Sequence, residues 1–166
     1  NYNEAENRME EYDRIADKSE KIWKALPKEY KAAYYELVHY PVKGAALMNK
    51  KMLVAQQNRW YARQGRAATN MLADQVKSYQ DSLDYYTDQF NSLLNGKWNH
   101  MMSITPGWTG TYQNMPPIEN ITVAGEADMQ IFIPGQDCTY GMGAVYALPC
   151  VNPYTKNNSF IELYNR

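Results

Sequence analysis

The sequence predicts a mainly α fold: an antiparallel helix bundle followed by a partial β-sandwich. Two observations lead there. Before residue 97, apolar residues recur every three or four positions, the signature of helices that bury one face. Beyond it the punctuation changes, with six of the eight prolines (Pro106, Pro116, Pro117, Pro134, Pro149, Pro153) and most of the glycines. Those residues break helices and supply turns between short strands. The expected division is a bundle over 1–97, a linker over 98–119 and the first strands of a sandwich over 120–166.

The first helix is expected over 4–26. Met9, Tyr12, Ala16, Ser19, Trp23 and Leu26 form one stripe, and the other faces are charged. Pro27 ends it. A second helix covers 28–40 and is expected to break or kink at Pro41, which has no amide to donate. Residues 42–64 continue helical with two apolar faces, Ala45, Met48, Met52, Ala55 and Ala62 on one and Leu47, Val54 and Tyr61 on another. Such a helix touches more than one neighbour. Gly65 marks its end.

The strongest pattern lies in 66–95. Leu72, Val76, Tyr79, Leu83, Tyr86, Phe90 and Leu93 step by four and three, a heptad-like seam that Asn95-Gly96 terminates. Charge divides between the two long helices. Lys43, Lys50, Lys51, Arg59, Arg63 and Arg66 precede Asp74, Asp81, Asp84 and Asp88, so a basic helix is expected to pair with an acidic one. Beyond the linker, Ile121–Val123, Met129–Ile133, Gly143–Leu148 and Phe160–Leu163 read as short strands. They are too few for a complete sandwich, and the C-terminal unit reads as truncated.

Composition limits the function. With a formal net charge of −1 the chain lacks the basic excess of a nucleic-acid binder. No apolar run approaches the roughly 18–20 residues of a membrane helix. The polar, acidic first residues do not form a signal peptide. Fifteen Tyr and four Trp against three Phe favour wet interfaces or sugar surfaces. Cys138 and Cys150 fit either one disulfide or two buried thiols.

No reaction centre assembles from the residues alone. Glu36-x-x-His39 is a single copy of a pair that di-iron bundles use twice, so His39 is expected on the helix surface or at a cap. Glu126 and Asp128 alternate as solvated carboxylates rather than as an acid–base pair. Neither a phosphate loop nor a nucleophile motif occurs, and no cofactor or metal is implied. Trp98, Asn99, His100, Trp108 and Tyr112 cluster where the helices end and could stack on a sugar, although a plug between the two parts is the simpler use.

Three runs carry a resemblance: YYELVHYPVKGAALMNKK (34–51), NRWYARQGRAATNMLADQV (58–76) and GKWNHMM (96–102). In order and spacing they resemble glycoside hydrolase family 115, the xylan α-1,2-glucuronidases. The stretch VYALPCVNPYTKNNSFIELYNR (145–166) is similar to that family's passage into its C-terminal β-sandwich. The resemblance implies a secreted or periplasmic enzyme that removes glucuronic acid or its 4-O-methyl ether from glucuronoxylan with inversion. In that family a (β/α)-barrel upstream carries the catalytic carboxylates. The implied role is therefore a non-catalytic portion that partners the barrel of its own parent chain and a second subunit of a homodimer. Trp98 and His100 are the implied substrate-binding candidates. The segment SITPGWTGTYQ (103–113) departs from the family's pattern, which leaves substrate preference open. The alternative is a stand-alone structural or carbohydrate-binding module.

Overall fold

The computed structural model describes residues 3–102, 114–133, 148, 154 and 160–166. Among them the chain forms an antiparallel helical bundle and one two-stranded antiparallel sheet. Helix α1 spans Glu4–Ala25 and ends where Leu26 turns extended ahead of Pro27. Helix α2, Lys28–Tyr34, runs through a single wide turn at Tyr35–His39 into α3, Tyr40–Gln64. Gly65, at φ 67°, caps α3 in the left-handed conformation that glycine takes without strain. Helix α4 spans Ala68–Gly96, although Leu93, Leu94 and Asn95 already leave helical geometry.

Pro41 does not break the helix. An α-helix would require its missing amide at the carbonyl of Leu37, and its ring would crowd that turn. The Tyr35–His39 turn carries one residue more than an α-turn, with the Tyr40 amide bonded to the Tyr35 carbonyl. Such π-turns arise where the regular ladder cannot be kept. The helix passes the proline, and Tyr35 and His39 both turn inward, at 4% and 1% exposure.

The core is formed by Val54 and Ala55 of α3 against Leu72 and Val76 of α4. Met9 of α1, Tyr61, Tyr79 and Ile118 close around it. The α4 seam is as expected, with Leu72, Val76 and Phe90 buried. The charge pairing differs from the expected one. Lys43 meets Glu20 at 3.3 Å and Lys50 pairs with Asp13, both acids of α1. Arg66 pairs with Glu162 at 2.7 Å, beyond the bundle. The side of α3 that carries Lys43 and Lys50 faces α1, so that helix neutralises them.

Residues 115–124 belong to no helix or sheet, contrary to the strand expected at Ile121–Val123. Two asparagines take the place of a neighbouring strand. The Asn58 amide donates to the Glu119 carbonyl at 2.9 Å, and its Oδ1 accepts the Glu119 amide at 2.8 Å. Asn70 makes the same pair of bonds with Ile121, at 3.0 and 2.9 Å. In an extended chain alternate residues direct both backbone groups to one side. Asn58 on α3 and Asn70 on α4 thus read two successive positions of that side. Lys51 adds a bond to the Asn114 carbonyl at 3.4 Å.

Strand β1, Met129–Phe132, pairs antiparallel with β2, Glu162–Asn165, with Ile131 opposite Leu163. The expected strand at Met129–Ile133 is thus present, and the last one lies slightly later than expected. The strand expected at Gly143–Leu148 falls almost wholly outside the described residues. The sheet is anchored on the bundle by Arg66, whose guanidinium lies between Tyr61 and Tyr164 at 4.2 and 4.3 Å from the ring centroids. The Ala67 amide donates to the Asn165 carbonyl at 2.9 Å beside it.

Replacing Asn58, which is fully buried, leaves the backbone groups of Glu119 and the Thr69 carbonyl without their partner. We expect Asn58→Ala to cost about 1–3 kcal/mol in urea unfolding. Hydrogen exchange at the Glu119 amide should accelerate before that of the α4 core does. Protection at Glu119 equal to the wild type would disprove the clamp.

Candidate functional site

Two polar assemblies lie along the first half of α3. The first surrounds His39. Its ring stacks on Trp23 at 5.2 Å and 13°, with Tyr35 and Tyr86 also against it. Nδ1 lies 3.0 Å from Ser19 Oγ and Nε2 lies 3.4 Å from Glu20. A neutral ring with its proton on Nε2 satisfies both: Nε2–H points at the carboxylate and Nδ1 accepts the Ser19 hydroxyl. Glu20 also holds Lys24 and Lys43. His39 is thus a core residue and not the surface or capping histidine expected from Glu36-x-x-His39. Hydroxyl, imidazole and carboxylate follow one another in the order of a nucleophilic triad, but Ser19 is 4% exposed. Closed to a substrate in this conformation, the group ties α1 to α3.

Burial pushes the His39 pKa below its ordinary value of 6.5, against the pull of the Glu20 charge. Burial alone would raise Glu20. The hydrogen bonds from Lys24 and Lys43, with the Lys43 and His39 charges, outweigh it and hold the carboxyl below its usual range.

The second assembly is a cavity of about 440 Å³ between α3 and α4. One wall is small and apolar, made by Pro41, Gly44, Ala45 and Met48 beside the Tyr40 ring. The other carries Gln80, Asp84 and Thr87, spaced along one face of α4. Met102 closes one end. The polar groups are oriented from behind. Lys51 is buried and donates to Gln80 Oε1 at 2.8 Å. Burial lowers its pKa, opposed by the Asp84 charge. Gln80 in turn donates to one oxygen of Asp84 at 2.9 Å. Thr87 gives its hydroxyl proton to the Leu83 carbonyl at 2.8 Å, so across 3.0 Å it is the Tyr40 hydroxyl that donates to Thr87.

Trp98 and His100 lie in the turns after α4 and outside this cavity's wall. Trp98 is half-buried beneath the Lys97 ammonium, 4.7 Å from its ring, and its Nε1–H is buried without a partner among the described residues. His100 is exposed at φ 68°. Glu126 and Asp128 are both exposed. Trp108, Tyr112, Cys138 and Cys150 lie outside the described residues. Among the described residues no group of three or more His, Cys, Asp or Glu is placed to hold a metal ion. No described helix is long and apolar enough to cross a membrane.

No family model matches this chain, and no curated protein does.

Sequence reasoning missed Lys51, Asn58 and Gly44. A signal existed for the first two. Lys51 and Asn58 flank Val54 and Ala55 at helical spacing, so both occupy the buried stripe of α3.

The His39 assembly fixes the direction of acid unfolding. His39 binds its proton more weakly folded than unfolded, so the unfolded chain gains protons first as pH falls below about 6.5. Glu20 adds loss of stability in the same direction, below its ordinary value of 4.5 and through its lowered folded pKa. The urea midpoint should therefore fall between about pH 7 and about pH 5, and His39→Gln should flatten that fall. An equal slope in the variant would remove His39 from the account.

Proposed function

We propose that this chain is the non-catalytic helical and C-terminal portion of a glycoside hydrolase similar to the xylan α-1,2-glucuronidases. Its work there is to hold the upstream catalytic barrel and the following strands in a fixed relation. The observation that carries this reading is the paired asparagine clamp on residues 119 and 121. Asn58 and Asn70 both belong to the run 58–76 that resembles the family, and Lys51 closes the run 34–51. The residues that bear the resemblance are thus the ones that build the joint between helices and extended chain. In this reading the substrate is glucuronoxylan, the location is secreted or periplasmic, and two copies associate.

The second reading, a stand-alone structural or carbohydrate-binding module, is favoured by one observation, the cavity between α3 and α4 with its apolar and polar walls.

The test is release of glucuronic or 4-O-methylglucuronic acid from glucuronoxylan by the native protein, recovered with an antibody raised against this chain. Release with inversion at the anomeric carbon is expected. A folded protein that releases no uronic acid overturns the glucuronidase reading.

Trp98 and His100 are the substrate-binding candidates in this proposal, acting on a neighbouring subunit's site. Replacing both with Ala should raise KM for glucuronoxylan while kcat and thermal stability hold. Unchanged kinetics in a folded double variant would leave both without a binding role.

A further inference from the structure

We propose that the cavity between α3 and α4 is a binding site for an uncharged pyranoside. The proposal goes beyond the glucuronidase reading and stands independently of it.

The first argument is Gly44. A glycine inside a helix destabilises it by about 0.5–1 kcal/mol relative to alanine. Such a residue usually makes room for a close neighbour. Here a Cβ at Gly44 would meet nothing within 4 Å, so no packing among the described residues requires the glycine. The space it leaves is the cavity, and its absence of a side chain keeps that wall flat. A pyranose presents a flat face of C–H groups that suits such a wall, with Pro41, Ala45 and the Tyr40 ring continuing it.

The second argument is the polarity of the opposite wall. Tyr40 spends its hydroxyl proton on Thr87, and Thr87 spends its own on Leu83. Gln80 Oε1 is engaged by Lys51, and a Gln80 amide proton is engaged by Asp84. What remains is one Gln80 amide proton and, in excess, acceptor capacity: the lone pairs of the Tyr40 hydroxyl and the second oxygen of Asp84. Such a row accepts from hydroxyl donors. A ligand with several adjacent hydroxyls satisfies it. A uronate brings a carboxylate with nothing to donate and meets the Asp84 charge. The volume, about 440 Å³, lies within the range of small-ligand sites, roughly 300–1,000 Å³.

The experiment is an amide NMR titration of the 166-residue chain with xylotriose, and separately with glucuronic acid. Xylotriose should give saturable shifts at Gly44, Ala45, Gln80 and Thr87, and glucuronic acid should give none there. Gly44→Ala should weaken xylotriose binding at least about tenfold while the thermal midpoint holds or rises. Asp84→Asn, at an exposed position, should weaken it with the fold unchanged. Absence of saturable shifts with xylotriose overturns the proposal and leaves the cavity to a protein contact. Equal response to glucuronic acid, or full affinity in Gly44→Ala, overturns it as well. Failure to release uronic acid from glucuronoxylan would leave this titration standing, so the two readings fail separately.

Discussion

The structure depends on satisfying backbone amides that leave the helices without entering a sheet. An extended segment laid over a helical core would bury N–H and C=O groups at the cost of their bonds to water. A second strand would answer this, but α3 and α4 present side chains, not backbone. Carboxamides resolve the conflict because their donor and acceptor reproduce the two edges of a peptide. Asn58 and Asn70 supply one such edge each, on facing helices, two residues apart along the bound chain. The buried Pro116 and the half-buried Ile118 can then pack against the bundle. The sheet lies nearby, since β1 begins at Met129 and Arg66 receives β2 at the α3–α4 turn.

Much of this architecture was legible in the sequence, because helix periodicity and turn residues are local signals. The stripe Met9 to Leu26, the α4 seam and the stop at Gly65 all have their cause within a few residues. Of the break or kink expected at Pro41, the break is absent, because its local effect, loss of a donor, has more than one outcome. A break and a π-turn satisfy the same missing bond, and the choice rests on whether Tyr35 and His39 gain a core to enter. They do, between Trp23 and Tyr86. That gain is tertiary and invisible to a window of sequence.

The misread charges follow the same logic. Counting signs along the chain pairs α3 with α4, but geometry asks which side of α3 each lysine occupies. Lys43 and Lys50, seven apart, share the side that faces α1, and Asp13 and Glu20 are seven apart in the opposite direction. Lys51, one position on, turns about a quarter of a helical circuit and enters the core toward Gln80. Adjacent lysines therefore have unrelated roles. The candidate site was illegible for a related reason: its walls come from residues far apart along the chain, and its key feature, Gly44, is a side chain that is missing.

Helix α3 explains why these features sit together. Its sequence shows two apolar faces and no dominant one, and among the described residues three neighbours pack on it. Helix α1 takes the charged side through Glu20 and Asp13, α4 takes Val54 and Ala55, and the extended segment takes Asn58. The segment after Asn114 reaches Lys51 through the Asn114 carbonyl, and the described residues beside the N-terminal third of α3 toward α4 leave a cavity. There Pro41, Gly44 and Ala45 keep the side chains short, and the α4 row opposite is polar. Elsewhere α3 is held by the ion pairs to α1, the apolar contacts to α4 and the satisfied Asn58 amide, so the cavity lies on the one described stretch of the helix that packing does not fill.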